Sequence, residues 1–206
     1  VVPYVKTTTA AANNLRIESN GALIEGQRTN LALNSEVVSN WYVSSFTVSS
    51  DNVTAPDGNQ TADYVTSTGI NWGYIGPAAI TIDNTLAQTA SFYVKGSSTS
   101  TTLQMGFWDG GWFVTSTSSI LSGPGTASGA GTLHSITGLS TTLWTRISLT
   151  VAANVYPNTS GVLFIYPDIA SPAVSGNGNY YWGLQWEQAS FASSYIPTTT
   201  AAVTRN

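Results

Sequence analysis

The residues in this chain best suited to chemistry are aromatic rings, above all the run Phe107-Trp108-Asp109-Gly110-Gly111-Trp112-Phe113. Read as a hairpin with an Asp-Gly-Gly loop, in which glycine supplies the positive φ, the run sets Trp108 opposite Trp112 and Phe107 opposite Phe113. The Phe pair then extends the apolar stripe of Leu103 and Met105, while the two indoles stand together at an exposed tip beside Asp109. Flat apolar faces next to hydrogen-bonding groups suit the stacking of sugar rings. One indole face covers ~100 Å² and is worth ~2.5 kcal/mol at about 25 cal/mol per Å². Association costs at least ~4 kcal/mol, so one ring binds nothing measurable. Two rings with a few hydrogen bonds reach roughly millimolar affinity, useful when several copies act together. Asn71-Trp72-Gly73-Tyr74 is a second platform of this kind, with Trp72 and Tyr74 on one face and Asn71 as a hydroxyl partner. At both places the competing expectation is burial of the rings against another sheet or a neighbouring subunit.

Covalent and metal chemistry have less to work with. A glycosidase needs two carboxylates flanking the scissile bond, and the ten acidic residues are spread singly along the chain. His134 is the only imidazole, lacks a Gly-x-Ser-x-Gly elbow, and reads as a surface or loop residue. With no cysteine there are no disulfides, thiol nucleophiles or thiolate metal sites, and one histidine is too few for a transition metal. Calcium needs only oxygen ligands, which the loops supply, although no EF-hand spacing is present. The run 123–131 (GPGTASGAG) lacks the Gly-Lys-Ser/Thr ending of a phosphate-binding loop. The expectation is a protein that is not an enzyme.

The elements that must position these rings are strands. Of 206 residues only 8% are charged, against roughly 25% in an ordinary soluble domain. The polar side chains are instead Ser, Thr and Asn, which suit extended strands, and strong helix formers are scarce. A net charge of -4 argues against nucleic acid as a partner. No apolar stretch of about 18 residues is present to insert into a bilayer. The first residues lack the basic and apolar regions of a signal peptide, and the missing initial Met suggests a piece of a longer chain.

Period-two alternation places Leu103, Met105 and Phe107 inward, and likewise Ile147, Leu149 and Val151. Phe92 and Val94 point in with Tyr93 and Lys95 out, and Trp182, Leu184 and Trp186 read as an inward stripe. Further strands are expected at 23–24, 46–48, 62–65, 74–75, 162–166 and 180–186, separated by turn signals such as Asp57-Gly58 and Gly176-Asn177-Gly178-Asn179. One short helix near 34–40 could be capped by Ser35. The runs 97–102 and 123–131 read as exposed loops. The similar ends, Tyr4-Val5-Lys6-Thr7-Thr8-Thr9-Ala10-Ala11 and Tyr195-Ile196-Pro197-Thr198-Thr199-Thr200-Ala201-Ala202, read as two exposed arms. Many short strands at this spacing make an antiparallel β-sandwich or barrel.

Two segments carry a specific resemblance. Gly21-Ala22-Leu23-Ile24-Glu25-Gly26-Gln27-Arg28-Thr29-Asn30-Leu31 resembles the opening strand of a jelly-roll, carbohydrate-binding-like module of tailed-phage virion proteins. Tyr180-Tyr181-Trp182-Gly183-Leu184-Gln185-Trp186-Glu187, with Ser194-Tyr195-Ile196-Pro197-Thr198, resembles its closing strand and exit. Ala90-Ser91-Phe92-Tyr93-Val94-Lys95-Gly96 and Trp144-Thr145-Arg146-Ile147 are similar to the paired middle strands of carbohydrate-binding jelly rolls in general. The resemblance implies an all-β sandwich with jelly-roll topology over 21–197, a lead-in arm at 1–20 and an exit segment at 198–206. It implies pairing of the opening and closing segments, so that Arg28 could meet Glu187 or Glu25 and clip the ends together. It also implies a possible structural calcium near the chain ends, and carries over no sugar-contact motif.

The expected function is therefore a non-enzymatic module on a phage virion, exposed at the particle surface. There it would bind surface glycans through Trp108, Trp112, Asp109, Trp72, Tyr74 and Asn71. One alternative is a purely structural capsid decoration or tail-fibre module whose rings pack on other virion subunits. Another is a carbohydrate-binding module attached to a glycan-degrading enzyme. A neutral, hydroxyl-rich surface permits close subunit packing, so a homo-oligomer is expected.

Overall fold

A computed structural model describes residues 16–18, 21–23, 25–71, 73–97, 102–108, 113–119, 126–128, 131–135, 139–155, 159–167 and 174–205. Scarce helix formers and abundant Thr, Val and aromatic residues leave strands as the only regular elements of any length. In chain order the first strands are β1 (Arg16–Glu18), β2 (Gly21–Leu23), β3 (Arg28–Asn30), β4 (Tyr42–Val43), β5 (Phe46–Val53) and β6 (Ala62–Ser67). Next come β7 (Ile75–Gly76), β8 (Ile80–Thr81), β9 (Gln88–Gly96), β10 (Thr102–Trp108), β11 (Phe113–Ser119) and β12 (Thr126–Ser128). The last are β13 (Gly131–Ser135), β14 (Thr145–Val151), β15 (Ser160–Tyr166), β16 (Gly178–Glu187) and β17 (Val203–Arg205).

These strands form two large antiparallel sheets, ordered β12-β11-β10-β15-β7-β4 (β8 also pairs with β15) and β13-β14-β9-β16-β6-β5, and two ribbons, β1-β2 and β17-β3. Take β6, β7, β9, β10, β11, β14, β15 and β16 as eight strands in chain order. One sheet then reads first-eighth-third-sixth and the other second-seventh-fourth-fifth, the order of a jelly roll. The expected all-β sandwich with this topology is what the chain forms.

The two sheets differ in chemistry. No strand of the first contains Asp, Glu, Lys, Arg or His. Each strand of the second carries one such residue: Asp51, Asp63, Lys95, His134, Arg146 and Glu187. We call them the neutral and the charged sheet. His134 thus sits within β13, paired with Ser148, and not in a loop. The inner faces follow the expected alternation, with Phe92, Val94, Ile147, Leu149 and Val151 against Leu103, Met105, Phe107, Leu163 and Ile165. Trp186 reaches across this core, edge-on to Phe107 at 4.9 Å, with its indole N–H donating to Gln88 Oε1 at 3.0 Å. A Cβ at Gly161 would come within 2.8 Å of that indole, so the ring needs a glycine there.

Several expectations are corrected. Trp182 is fully buried but does not share the inward stripe of Leu184 and Trp186. The β16–β9 register slips by one residue between Trp182 and Gln185, and Gly183, at φ +69°, supplies the bulge. Trp182 therefore turns to the outer face of the charged sheet, against Tyr195, Ala55 and Ala62. The Tyr195 end is no exposed arm: Tyr195, Ile196 and Thr198 are buried, whereas residues 4–11 lie outside the described residues. The run 123–131 is not wholly loop, since Thr126–Ser128 form β12.

The short helix is a single 3-10 turn, Val38–Asn40, without a side-chain cap from its own segment. Ser35 instead binds Tyr195 Oη at 2.6 Å and accepts from Thr198 N at 2.8 Å. Asp63 of β6 does the anchoring, its carboxylate accepting from Val38 N at 2.6 Å and Asp51 N at 3.0 Å. Burial pushes the Asp63 carboxyl above its ordinary value, against the opposing pull of those N–H donors.

The ends do pair, by other partners than expected. Glu25 takes Arg205, Nη2 to Oε2 at 2.5 Å, and accepts from Ser194 N at 2.7 Å. Buried Glu187 accepts from Ser193 N at 2.9 Å and Ser193 Oγ at 2.5 Å. Arg28 instead donates to Gln27 O and lies over the Phe191 ring, 5.0 Å from its centre. Glu25 and Glu187 are held by a guanidinium, an N–H and a hydroxyl, and no cluster of three potential metal ligands occurs among the described residues.

Asn30 ties these segments together. Its Nδ2 donates to Leu184 O at 3.0 Å and Ile196 O at 2.8 Å, and its Oδ1 accepts from Ala32 N at 3.1 Å and Trp186 N at 3.0 Å. Removing a partner from a buried polar group costs about 1–3 kcal/mol for each group stranded. Asn30→Ala should therefore lower the unfolding free energy by roughly 3 kcal/mol or more in denaturant titrations, far beyond an ordinary surface substitution. A loss below about 1 kcal/mol would contradict this account of the hub.

Candidate aromatic binding face

Strand alternation assembles the rings on the neutral sheet. Leu163 and Ile165 of β15 point into the core, so Val162, Phe164 and Tyr166 face outward. Val43 and Ile75 point inward on β4 and β7, which turns Tyr42 and Tyr74 outward beside them. Four rings meet there. Tyr42 stacks on Tyr74 at 4.8 Å and 28°, and Tyr74 meets Phe164 edge-on at 4.5 Å and 79°. Phe164 and Tyr166 lie nearly parallel, 6.1 Å apart at 22°, and Tyr74 is 6.2 Å from Tyr166.

The cluster is open to solvent on one side. Tyr42 is 54% exposed, and Tyr74, Phe164 and Tyr166 are half-buried. Phe164 is opposite Gly106 of β10, so no side chain from that strand stands directly across from it. The same register pairs Trp108 with Val162 and Gln104 with Tyr166 along the backbone. Thr115 and Thr117 of β11 pair in turn with Gly106 and Gln104.

One sequence candidate, Tyr74, thus joins this cluster, and Trp108 lies on β10 of the same sheet. The expected hairpin register is wrong, however. Trp108 pairs with Phe113, not Trp112, and Phe107 pairs with Val114. Strand pairing therefore ends at Trp108 and Phe113, one residue off the register an Asp-Gly-Gly loop requires, while Phe107 stays in the core. Asp109, Trp112 and Trp72 lie outside the described residues. Asn71 is exposed, on the segment between β6 and β7. Sequence reasoning missed Tyr42, Phe164 and Tyr166 as site residues. Alternation within Val162-Leu163-Phe164-Ile165-Tyr166 does set the two rings of β15 on one face, but the pairing of β4, β7 and β15 that adds Tyr42 and Tyr74 is long-range.

Two phenols of this face, Tyr74 and Tyr166, resist ionisation. Burial pushes the Tyr74 hydroxyl above its ordinary value, reinforced by the charge Tyr42 would carry and by a hydrogen bond with it. Burial, then the neighbouring Tyr74, does the same for Tyr166. A tyrosine whose folded pKa is raised stabilises the fold fully below its unfolded value, and that contribution disappears as pH rises through the folded value. Alkaline melts should therefore show stability falling as pH climbs past 10.0, the ordinary value. Replacing Tyr74 and Tyr166 by Phe should flatten that fall, and an unchanged slope would contradict the burial of these hydroxyls.

No protein-family model matches this sequence, and no curated protein does. Solved structures do. A xylan-binding CBM22-1 domain from Paenibacillus barcinonensis is similar at 11% identity and a TM-score of 0.46, over 80% of this chain and 94% of that one. The family 11 carbohydrate-binding module of Clostridium thermocellum, in complex with a β-1,3-1,4-mixed-linked tetrasaccharide, is similar at 14% identity and a TM-score of 0.41, over 82% of this chain and 100% of that one. The CBM22-1–GH10 modules of a C. thermocellum endo-1,4-β-D-xylanase match at 13% identity and a TM-score of 0.41, over 82% of this chain and 29% of that one. Likeness this distant carries over neither a residue nor a ligand.

Proposed function

We propose that this chain is a non-enzymatic, glycan-binding module of a phage virion, and that it grips neutral sugar rings on the outward face of the neutral sheet. The observation that carries the reading is the cluster of Tyr42, Tyr74, Phe164 and Tyr166 on a sheet whose strands hold no ionisable group other than tyrosine. A hexose is flat, apolar on its faces and hydroxylated at its rim. Stacked and edge-on rings cover those faces, and the phenols of Tyr42, Tyr74 and Tyr166 bond the rim. A charged or phosphorylated ligand would find no counter-ion there. Two ring faces already bring affinity to roughly millimolar, and a further ring adds about 1–2 kcal/mol.

The virion assignment draws on the opening and closing segments. The parts that resemble a phage module, Asn30 on one side and Leu184 and Ile196 on the other, are the parts joined by the Asn30 amide. Weak binding per site becomes useful when many copies act on one particle, which suits a homo-oligomer seated among other virion subunits at the particle surface.

The test is affinity electrophoresis of the whole chain against a panel of neutral polysaccharides, paired with thermal melts. Tyr42→Ala should reduce affinity tenfold or more, about 1.4 kcal/mol. Its melt should stay near wild type, because solvent-facing rings contribute less than about 1 kcal/mol to stability. Trp108→Ala, at the end of β10, should weaken binding as well. Wild-type binding by Tyr42→Ala and Trp108→Ala alike would sink the assignment of the face. Variants that bind glycan normally but fail to assemble would favour the architectural role.

A further inference from the structure

We propose that the charged sheet carries a second, separate strip that takes carboxylate-bearing sugars. Tyr180 of β16 stands directly across from Tyr64 of β6 on one side and Lys95 of β9 on the other. The Tyr64 and Tyr180 rings lie 4.7 Å apart at 31°. The Lys95 ammonium sits 4.9 Å from the centre of Tyr180 and 5.3 Å from that of Trp144, which immediately precedes β14. Three rings and one cation thus form a row across four neighbouring strands, all four side chains half-buried and none sealed from solvent.

The charge of Lys95 distinguishes this row from a merely structural ring cluster. The other described basic side chains are engaged by oxygen acceptors: Arg205 by Glu25, Arg146 by Ser193 O and Ser91 Oγ, and Arg28 by Gln27 O. Lys95 has ring faces on two sides and no carboxylate partner among the described residues. Ring quadrupoles attract an ammonium but do not neutralise it, so the row offers a positive charge flanked by apolar faces, with no carboxylate partner among the described residues. A sugar acid is complementary to that pattern. Its ring stacks on Tyr64 and Tyr180 or on Trp144, and its carboxylate meets the ammonium between them. A free anion has no ring to stack, and a neutral sugar has nothing for the ammonium.

The backbone under the strip is fixed. The row borders the buried cluster of Trp182, Tyr195, Ala55 and Ala62, against which Trp144 packs while its indole N–H donates to Thr54 O at 3.1 Å. Tyr64 is fixed by Ser97, whose hydroxyl donates to Tyr64 Oη at 3.1 Å. The strip lies on the opposite sheet from the ring cluster of Tyr42 and does not depend on that cluster binding anything.

The experiment is affinity electrophoresis of the whole chain in gels containing polygalacturonate or a neutral β-glucan, with Lys95→Met, Lys95→Arg and Tyr42→Ala beside wild type. Polygalacturonate should retard the wild type, less so as salt is raised. Lys95→Met, which keeps the aliphatic stem, should lose tenfold or more on polygalacturonate and nothing on the glucan. Lys95→Arg should retain most of the binding, and Tyr42→Ala should be unaffected on polygalacturonate. If Lys95→Met melts early, the salt dependence of the wild type and the behaviour of Lys95→Arg decide. The proposal falls if polygalacturonate does not retard the wild type, if a folded Lys95→Met is retarded equally, or if Tyr42→Ala loses both polymers together, which would mean one shared face.

Discussion

The structure turns on one buried side chain, Asn30, whose amide spends its full hydrogen-bonding capacity on backbone groups far apart in sequence. A strand bulge leaves N–H and C=O groups unpaired, and the slip between Trp182 and Gln185 opens β16 in this way beside Asn30. An amide, with donor and acceptor at fixed spacing, satisfies Leu184 O and Trp186 N at once. Its remaining bonds draw in Ile196 and Ala32, and so hold the segments around these residues to β16 of the charged sheet. An aspartate could not donate, and an apolar residue would strand four groups in a dry site.

That layer divides the work between the sheets. On the charged sheet it covers Trp182 and supplies partners for half-buried Arg146 and for Glu187, which could not otherwise be buried without heavy cost. The neutral sheet needs no such cover, since it has no charges to satisfy, and its outward rings can stay half open to water. Separation of ionic from neutral chemistry is thus built into the strands.

Much of this was legible in the sequence. Period-two runs around Leu103, Ile147 and Phe92 read correctly because those strands are regular and bury one face. The Trp182 stripe was misread because Gly183 interrupts the period, although a glycine inside a strand pattern is itself a bulge signal. The Trp108 hairpin was misplaced because a loop of unknown conformation sets register, and one residue exchanges the faces. Arg28 and Arg205 are equally plausible partners for Glu25 by residue type, and only the β17–β3 register chooses between them. Tyr42 was invisible as a site residue because a two-residue strand has no period to read.

The most direct measurement of the central claim is a two-dimensional NMR titration of the whole chain with neutral oligosaccharides, following backbone amides. Shifts should concentrate on Tyr42, Tyr74, Phe164, Tyr166 and the β10 positions facing them, with the charged sheet unmoved. Perturbations confined to the charged sheet, or none across a panel of neutral oligosaccharides at millimolar concentration, would contradict the assignment of the neutral sheet as the glycan-binding face.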